Sequence, residues 1–90
     1  MKYRCLVRYC HDMQEVALYA AARHAFGASY AQYDAANLGE LIELISSKNE
    51  AIAKLLPTCS FLVNSVAQTE RKVLLHPGDQ IDVLPQFAGG

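Results

Sequence analysis

Ninety residues, 52% of them hydrophobic and 19% charged, make one domain near the lower size limit for burying a self-sufficient core, with no room for a second. Eight basic and nine acidic side chains are well mixed and sum to −1, so there is no basic stripe for nucleic acid or for an anionic membrane. Cys5, Cys10 and Cys59 are too few and too irregularly spaced for a disulfide framework, and no apolar run approaches the roughly 18 residues of a membrane span. A reduced, cytoplasmic protein is expected. Cys10-His11 does not match a zinc spacing and no second Cys/His pair follows it, so no metal site is expected.

Residues 1–13 are read as a loose N-terminal extension. Tyr3, Cys5, Val7 and Tyr9 alternate with Lys2, Arg4, Leu6 and Arg8, which leaves an added edge strand as the alternative, and Met13 is itself an alternative start. Lys2, Arg4 and Arg8 ahead of Val16–Ala22 imitate a short signal peptide, but Asp12 and Glu15 interrupt that pattern. From Glu15 to Ala21, Val16, Leu18 and Ala20 share one face of a candidate core strand. Ala21 to Phe26 reads as one short helical turn ending at Gly27, and Ser29 to Asp34 as a second strand.

The clearest helix starts at Asn37. Its side chain is placed to cap, Glu40 follows three residues later as in a capping box, and Leu38, Leu41, Ile42 and Ile45 fall on one face. Ser46 to Asn49 loosens the pattern, Ile52, Leu55 and Leu56 resume it, and Pro57 ends it, so a single long helix is expected. Ser60 to Asn64 has strand character, Asn64-Ser65 a turn, and Val66 to Gln68 a short returning strand. Arg71-Lys72 is read as a solvated loop pair, with a patch facing an acidic partner as the alternative. His76-Pro77-Gly78-Asp79 has the composition of a type II turn and launches a final strand, Gln80 to Leu84, in which Ile81 and Val83 face one way and Asp82 the other.

After that strand the sequence ends in Pro85-Gln86-Phe87-Ala88-Gly89-Gly90. Glycine has no Cβ, so a Gly-Gly end passes through a channel too narrow for side chains and presents an unhindered carboxylate. The rest of the chain lacks a phosphate-cradling glycine loop, HExxH and GxSxG. Asp79 and Asp82 are more simply turn and surface residues than a catalytic pair, and Cys59, beside Phe61 and Leu62, reads as a small buried residue. Nothing in the chain forms a catalytic set of its own. Strand, strand, helix and three further strands imply an α+β fold, a mixed sheet packed on one main helix.

Phe61-Leu62-Val63-Asn64 and the run from Leu75 to Gly90 resemble the small subunit of molybdopterin synthase, as do Val16–Arg23 and Leu38-Gly39-Glu40-Leu41. The resemblance covers residues 14–90 and implies a ubiquitin-like β-grasp over 14–84 with a reactive tail over 85–90. It implies a sulfur carrier whose terminal Gly90 is adenylated with ATP by a ubiquitin-activating-type adenylyltransferase, then converted to a thiocarboxylate by a sulfur donor enzyme. The large synthase subunit would take the tail, positioned by Pro85, Phe87, Ala88 and Gly89, and use the sulfur for the molybdopterin dithiolene of the molybdenum cofactor. The chain itself would hold no cofactor and contribute no catalytic side chain. Gln86 departs from the family tail, which has proline there and is stiffer before docking. Carriage of sulfur for thiamine, cysteine or tRNA thiolation, or attachment to protein lysines as a ubiquitin-like modifier, are the alternative uses of the same tail.

Overall fold

The structure, a computed structural model, describes residues 13–85. Strand β1 (Gln14–Leu18) leads into helix α1 (Ala20–Phe26), strand β2 (Tyr30–Tyr33), helix α2 (Leu38–Ser46) and helix α3 (Glu50–Leu55). A single 3-10 turn (Leu56–Thr58) connects to β3 (Cys59–Val63), β4 (Val66–Gln68) and β5 (Gln80–Pro85). The sheet order is β2-β1-β5-β3-β4, with β5 parallel to β1 and every other pairing antiparallel. This is the mixed sheet of the ubiquitin-like β-grasp, with the last strand of the chain at its centre.

The first strand is shorter than the expected Glu15–Ala21. It stops at Leu18 because Ala20 takes φ 50 and the alanine run that follows favours helix. Helix α1 is accordingly seven residues and not a single turn, and ends on Gly27 at φ 95, whose N–H donates to the Arg23 carbonyl at 2.9 Å. It buries Ala22 and Phe26, and the Lys48 ammonium covers the Phe26 ring 4.1 Å from its centroid.

The expected single long helix is two. Helix α2 stops at Ser46, and Asn49 opens α3 afresh, its Oδ1 accepting the Ile52 N–H at 2.9 Å and its Nδ2 donating to the Ala25 carbonyl at 3.1 Å. Ile45 on α2 and Ile52 on α3 are both fully buried in the core. At the start of α2 the capping residues act as expected, with one shift. Asn37 Oδ1 accepts the Glu40 N–H at 2.8 Å, while Glu40 reaches back to the Ala36 N–H, one residue earlier than a capping box requires. The next two amides are taken by the loop after β4: Leu38 N–H donates to Val73 at 3.0 Å and Gly39 N–H to Arg71 at 2.8 Å. Gly39 permits that approach, since a Cβ there would stand 3.3 Å from the Arg71 carbonyl oxygen.

The core lies between the helices and one face of the sheet, where Val16, Leu18, Phe61, Val63, Ile81 and Val83 meet Leu38, Leu41, Ile45, Ile52 and Leu56. Asn64 and Ser65 take φ 51 and 71, the positive pair of a type I′ hairpin turn between β3 and β4. Gly78 takes φ 89 and the Asp79 N–H donates to the His76 carbonyl at 3.1 Å, which completes the expected turn before β5. The readings of residues 1–12 as an extension lie outside the described residues. Met13 belongs to the body, its carbonyl accepting the Gly78 N–H at 3.1 Å.

Candidate functional site

The root of the C-terminal tail is held by a hydrogen-bonded strand on each side, β1 on one and β3 on the other. On one edge of β5, Ile81, Asp82 and Val83 stand opposite Val16, Ala17 and Leu18, and the Tyr19 N–H extends the ladder to the Val83 carbonyl at 3.2 Å. On the other edge, Leu84 stands opposite Ser60 and Pro85 opposite Cys59. Ile81, Val83 and Pro85 point into the body and are buried; Gln80, Asp82 and Leu84 alternate outward. Pro85, read from sequence as the first residue of the tail, is thus the last residue of β5 and belongs to the folded body. As the final inward residue opposite Cys59 it needs no ladder hydrogen beyond those already formed. Phe87, Ala88, Gly89 and Gly90, together with Gln86, lie outside the described residues.

The start of β5 is fixed as firmly as its end. Asn64 grips it with both side-chain atoms, Oδ1 accepting the Gln80 N–H at 3.0 Å and Nδ2 donating to Asp79 Oδ1 at 3.0 Å, while its own N–H donates to the Gln80 carbonyl at 2.7 Å. Asp79 Oδ2 accepts the His76 N–H at 2.8 Å. Asp82 Oδ1 accepts from Gln80 Nε2 at 3.1 Å and from the Tyr19 hydroxyl at 3.5 Å. The two aspartates therefore serve separate hydrogen-bond sets and do not form a pair. Cys59 sits opposite Pro85 whereas His76 and Asp79 lie before Gln80, so about the length of the strand, roughly 20 Å, lies between Cys59 and His76. Cys59 is half-buried and not fully buried as expected. Burial nevertheless raises its thiol above the ordinary cysteine range, partly offset by a hydrogen bond with Thr58. A protonated, isolated thiol is a poor nucleophile.

Among the described residues no three His, Cys, Asp or Glu side chains converge as a metal site, and no helix is long and apolar enough to cross a membrane. Arg71, expected as a plain surface cation, leans over the Phe61 ring at 5.8 Å from its centroid.

One residue that supports this arrangement was not singled out from the sequence. Gln14 is 1% exposed; its Oε1 accepts the Ala35 N–H at 2.8 Å and its Nε2 donates to the Ala35 carbonyl at 3.1 Å and to the His76 carbonyl at 3.4 Å. One amide thus ties β1 to the chain after β2 and to the turn that launches β5. Its position at an inward site of a strand, two residues before Val16, was the only signal available.

The ThiS family model matches residues 16–90. No curated protein sequence matches the chain. Among solved structures, small archaeal modifier protein 1 from Methanosarcina acetivorans superposes with a TM-score of 0.78 at 19% identity, over 87% of this chain and 96% of that one. Subunit 1 in the complex of subunits 1 and 2 of the molybdopterin-converting factor from Helicobacter pylori is 26% identical, with a TM-score of 0.68 over 87% of this chain and 99% of that one. Urm1 from Trypanosoma brucei has a TM-score of 0.69 at 21% identity, over 89% and 97%. With a β-grasp body, a rigidly held central last strand and a family match running to the final glycine, the chain belongs to the ThiS family of small sulfur carriers.

Proposed function

We propose that this chain is the sulfur-carrying small subunit of a molybdopterin synthase, with Gly90 as the residue that carries the sulfur. The observation that supports this most is the position of β5: the tail grows from the central strand of the sheet, so its base is immobile while Gly89 and Gly90 carry no side chain to obstruct a narrow channel. In this reading the terminal carboxylate attacks the α-phosphorus of ATP on an activating enzyme and pyrophosphate leaves. A reduced sulfur nucleophile from a donor enzyme then displaces AMP from the acyl carbon and leaves a thiocarboxylate. The tail next enters the large subunit, where Phe87 and Ala88 hold it and the sulfur is transferred to the pterin precursor. The catalytic side chains, the ATP site and the pterin site all belong to the partners. The relative from Helicobacter pylori, whose structure is a complex of two subunits, favours the two-subunit arrangement.

The test is intact-mass spectrometry after incubation with ATP, an activating enzyme and a sulfur donor. The expected result is exchange of one terminal oxygen for sulfur, followed by return to the starting mass when a large synthase subunit and its precursor are added. No exchange, under conditions in which a known carrier reacts, would sink the proposal. The likeness to an archaeal modifier protein supports a second reading, in which the same activated glycine acylates a lysine amine of another protein. That reading expects covalent adducts joined through Gly90 and no free thiocarboxylate.

A further inference from the structure

The helices cover only one face of the sheet. On the other, Tyr30, Ala17, Asp82, Leu62 and Ala67 stand opposite one another in a single row across all five strands, each partly or fully exposed among the described residues. The row is apolar except for Asp82. Glu15 is the only other charged residue on the described strands, and it shares this face. The described cations, Arg23, Lys48, Lys54, Arg71 and Lys72, all lie on helices or loops. Asp82 uses Oδ1 for Tyr19 and Gln80 and has no partner on Oδ2 among the described residues. The face thus carries an apolar row flanked by the neutral polar Gln32, Gln80 and Ser60, and its only formal charges among the described residues are negative, which suits an apolar segment carrying positive charge.

The sequence contains such a segment. Of its eight basic and nine acidic residues, Lys2, Arg4 and Arg8 but only Asp12 precede residue 13, so the remainder of the chain holds five basic and eight acidic side chains. Arg4, Leu6 and Arg8 alternate with Cys5 and Val7, which in an extended chain sets Leu6 between the two guanidiniums on one side. The point of attachment also fits. Met13 is tied to Gly78 at the start of β1, two residues before Glu15 at the rim of the face. Twelve extended residues reach about 40 Å, against roughly 19 Å across five strands.

We propose that residues 2–9 dock on the helix-free face of the sheet, Leu6 lying against its apolar row on the Ala17 side while Arg4 and Arg8 pair with Asp82 and Glu15. Exposed ion pairs are individually weak and screened by salt, but tethering makes the encounter intramolecular and raises its effective concentration. The cover is therefore formed in the free chain and is easily displaced. If the carrier reading also holds, a partner that takes the tail must displace it, because Leu84 on this face adjoins Pro85 at the tail's root.

The experiment is paramagnetic relaxation in the full chain, with a nitroxide on Cys5 and with Cys10→Ser and Cys59→Ser, which reads the contact without reference to sulfur transfer. Amide signals of Ala17, Leu62 and Asp82 are expected to lose at least half their intensity, and those of Glu43 and Lys54 on the helical side to keep theirs. About 0.5 M salt, or Arg4→Glu with Arg8→Glu, restores the lost intensity. Adding Glu15→Lys and Asp82→Lys to the reversed segment brings the broadening back. Should the lysine pair unfold the body, the salt response and the segment variant, which leaves the body unaltered, still decide. No broadening on the sheet face, broadening on the helical side instead, or broadening only between a labelled and an unlabelled copy would each overturn the proposal. So would a face that changes only when another protein is added.

Discussion

Gln14 shows how much a single side chain contributes to holding the tail's root. Its amide satisfies both backbone groups of Ala35 away from solvent and reaches the carbonyl of His76 in a part-buried contact. Replacing it with leucine keeps the volume but orphans a buried donor and a buried acceptor, so Gln14→Leu is expected to cost about 2–3 kcal/mol in urea unfolding. An unchanged midpoint would show that water replaces the amide. Cys59 makes a prediction about reactivity and pH. Because burial raises its thiol, alkylation by iodoacetamide near neutral pH is expected to be slower than for free cysteine. The folded state disfavours the thiolate, so the contribution to stability is intact below the unfolded cysteine pKa and declines as the pH rises past it, when the unfolded chain ionises first. Cys59→Ala removes that part of the alkaline decline. A decline of the same size in the variant would assign it elsewhere, Tyr33 being the other group that burial raises.

At the scale of elements, local chemistry was read well and continuity was not. The Asn37 cap, the Gly27 stop, the Asn64-Ser65 hairpin and the Gly78 turn all follow from residue types that satisfy orphan amides or adopt positive φ at low cost. These are short-range effects, complete within four or five residues. The division of the long helix at residues 47–49 was visible only as a loosened pattern, because what fixes it is a tertiary bond, Asn49 to the Ala25 carbonyl of α1, as well as its own cap on Ile52. Asn49→Ala loses both and is expected to destabilise the fold by about 1–2 kcal/mol, measured by denaturant or thermal unfolding. Retained stability would mean that helical propensity alone holds α3. The end of β1 was misplaced for a related reason: alternation at Val16, Leu18 and Ala20 continues past the strand, while the helix preference of the alanine run, together with the packing of Ala22 and Phe26 on the core, starts a helix at Ala20.

For the molecule as a whole, the proposed carrier role divides the work between the folded body and the Gly-Gly end. The described core runs from Val16 to Val83, and the Gly-Gly end lies beyond it in the sequence. Deleting Gly90 is therefore expected to leave stability within about 0.5 kcal/mol of the parent while abolishing sulfur transfer. A large loss of stability would show that the tail packs on the body. By itself the sequence determined the helix caps, the turns, the inward residues of the last strand and the Gly-Gly end, because each depends on the chemistry of neighbouring residues. Tertiary structure alone decided that β5 inserts between β1 and β3, that Pro85 is part of the sheet, and that Ala17, Leu62 and Asp82 meet on one open face. Those outcomes depend on pairing between segments tens of residues apart, where burial of Val16, Ile81 and Phe61 against the same helices sets the register and no local pattern records it.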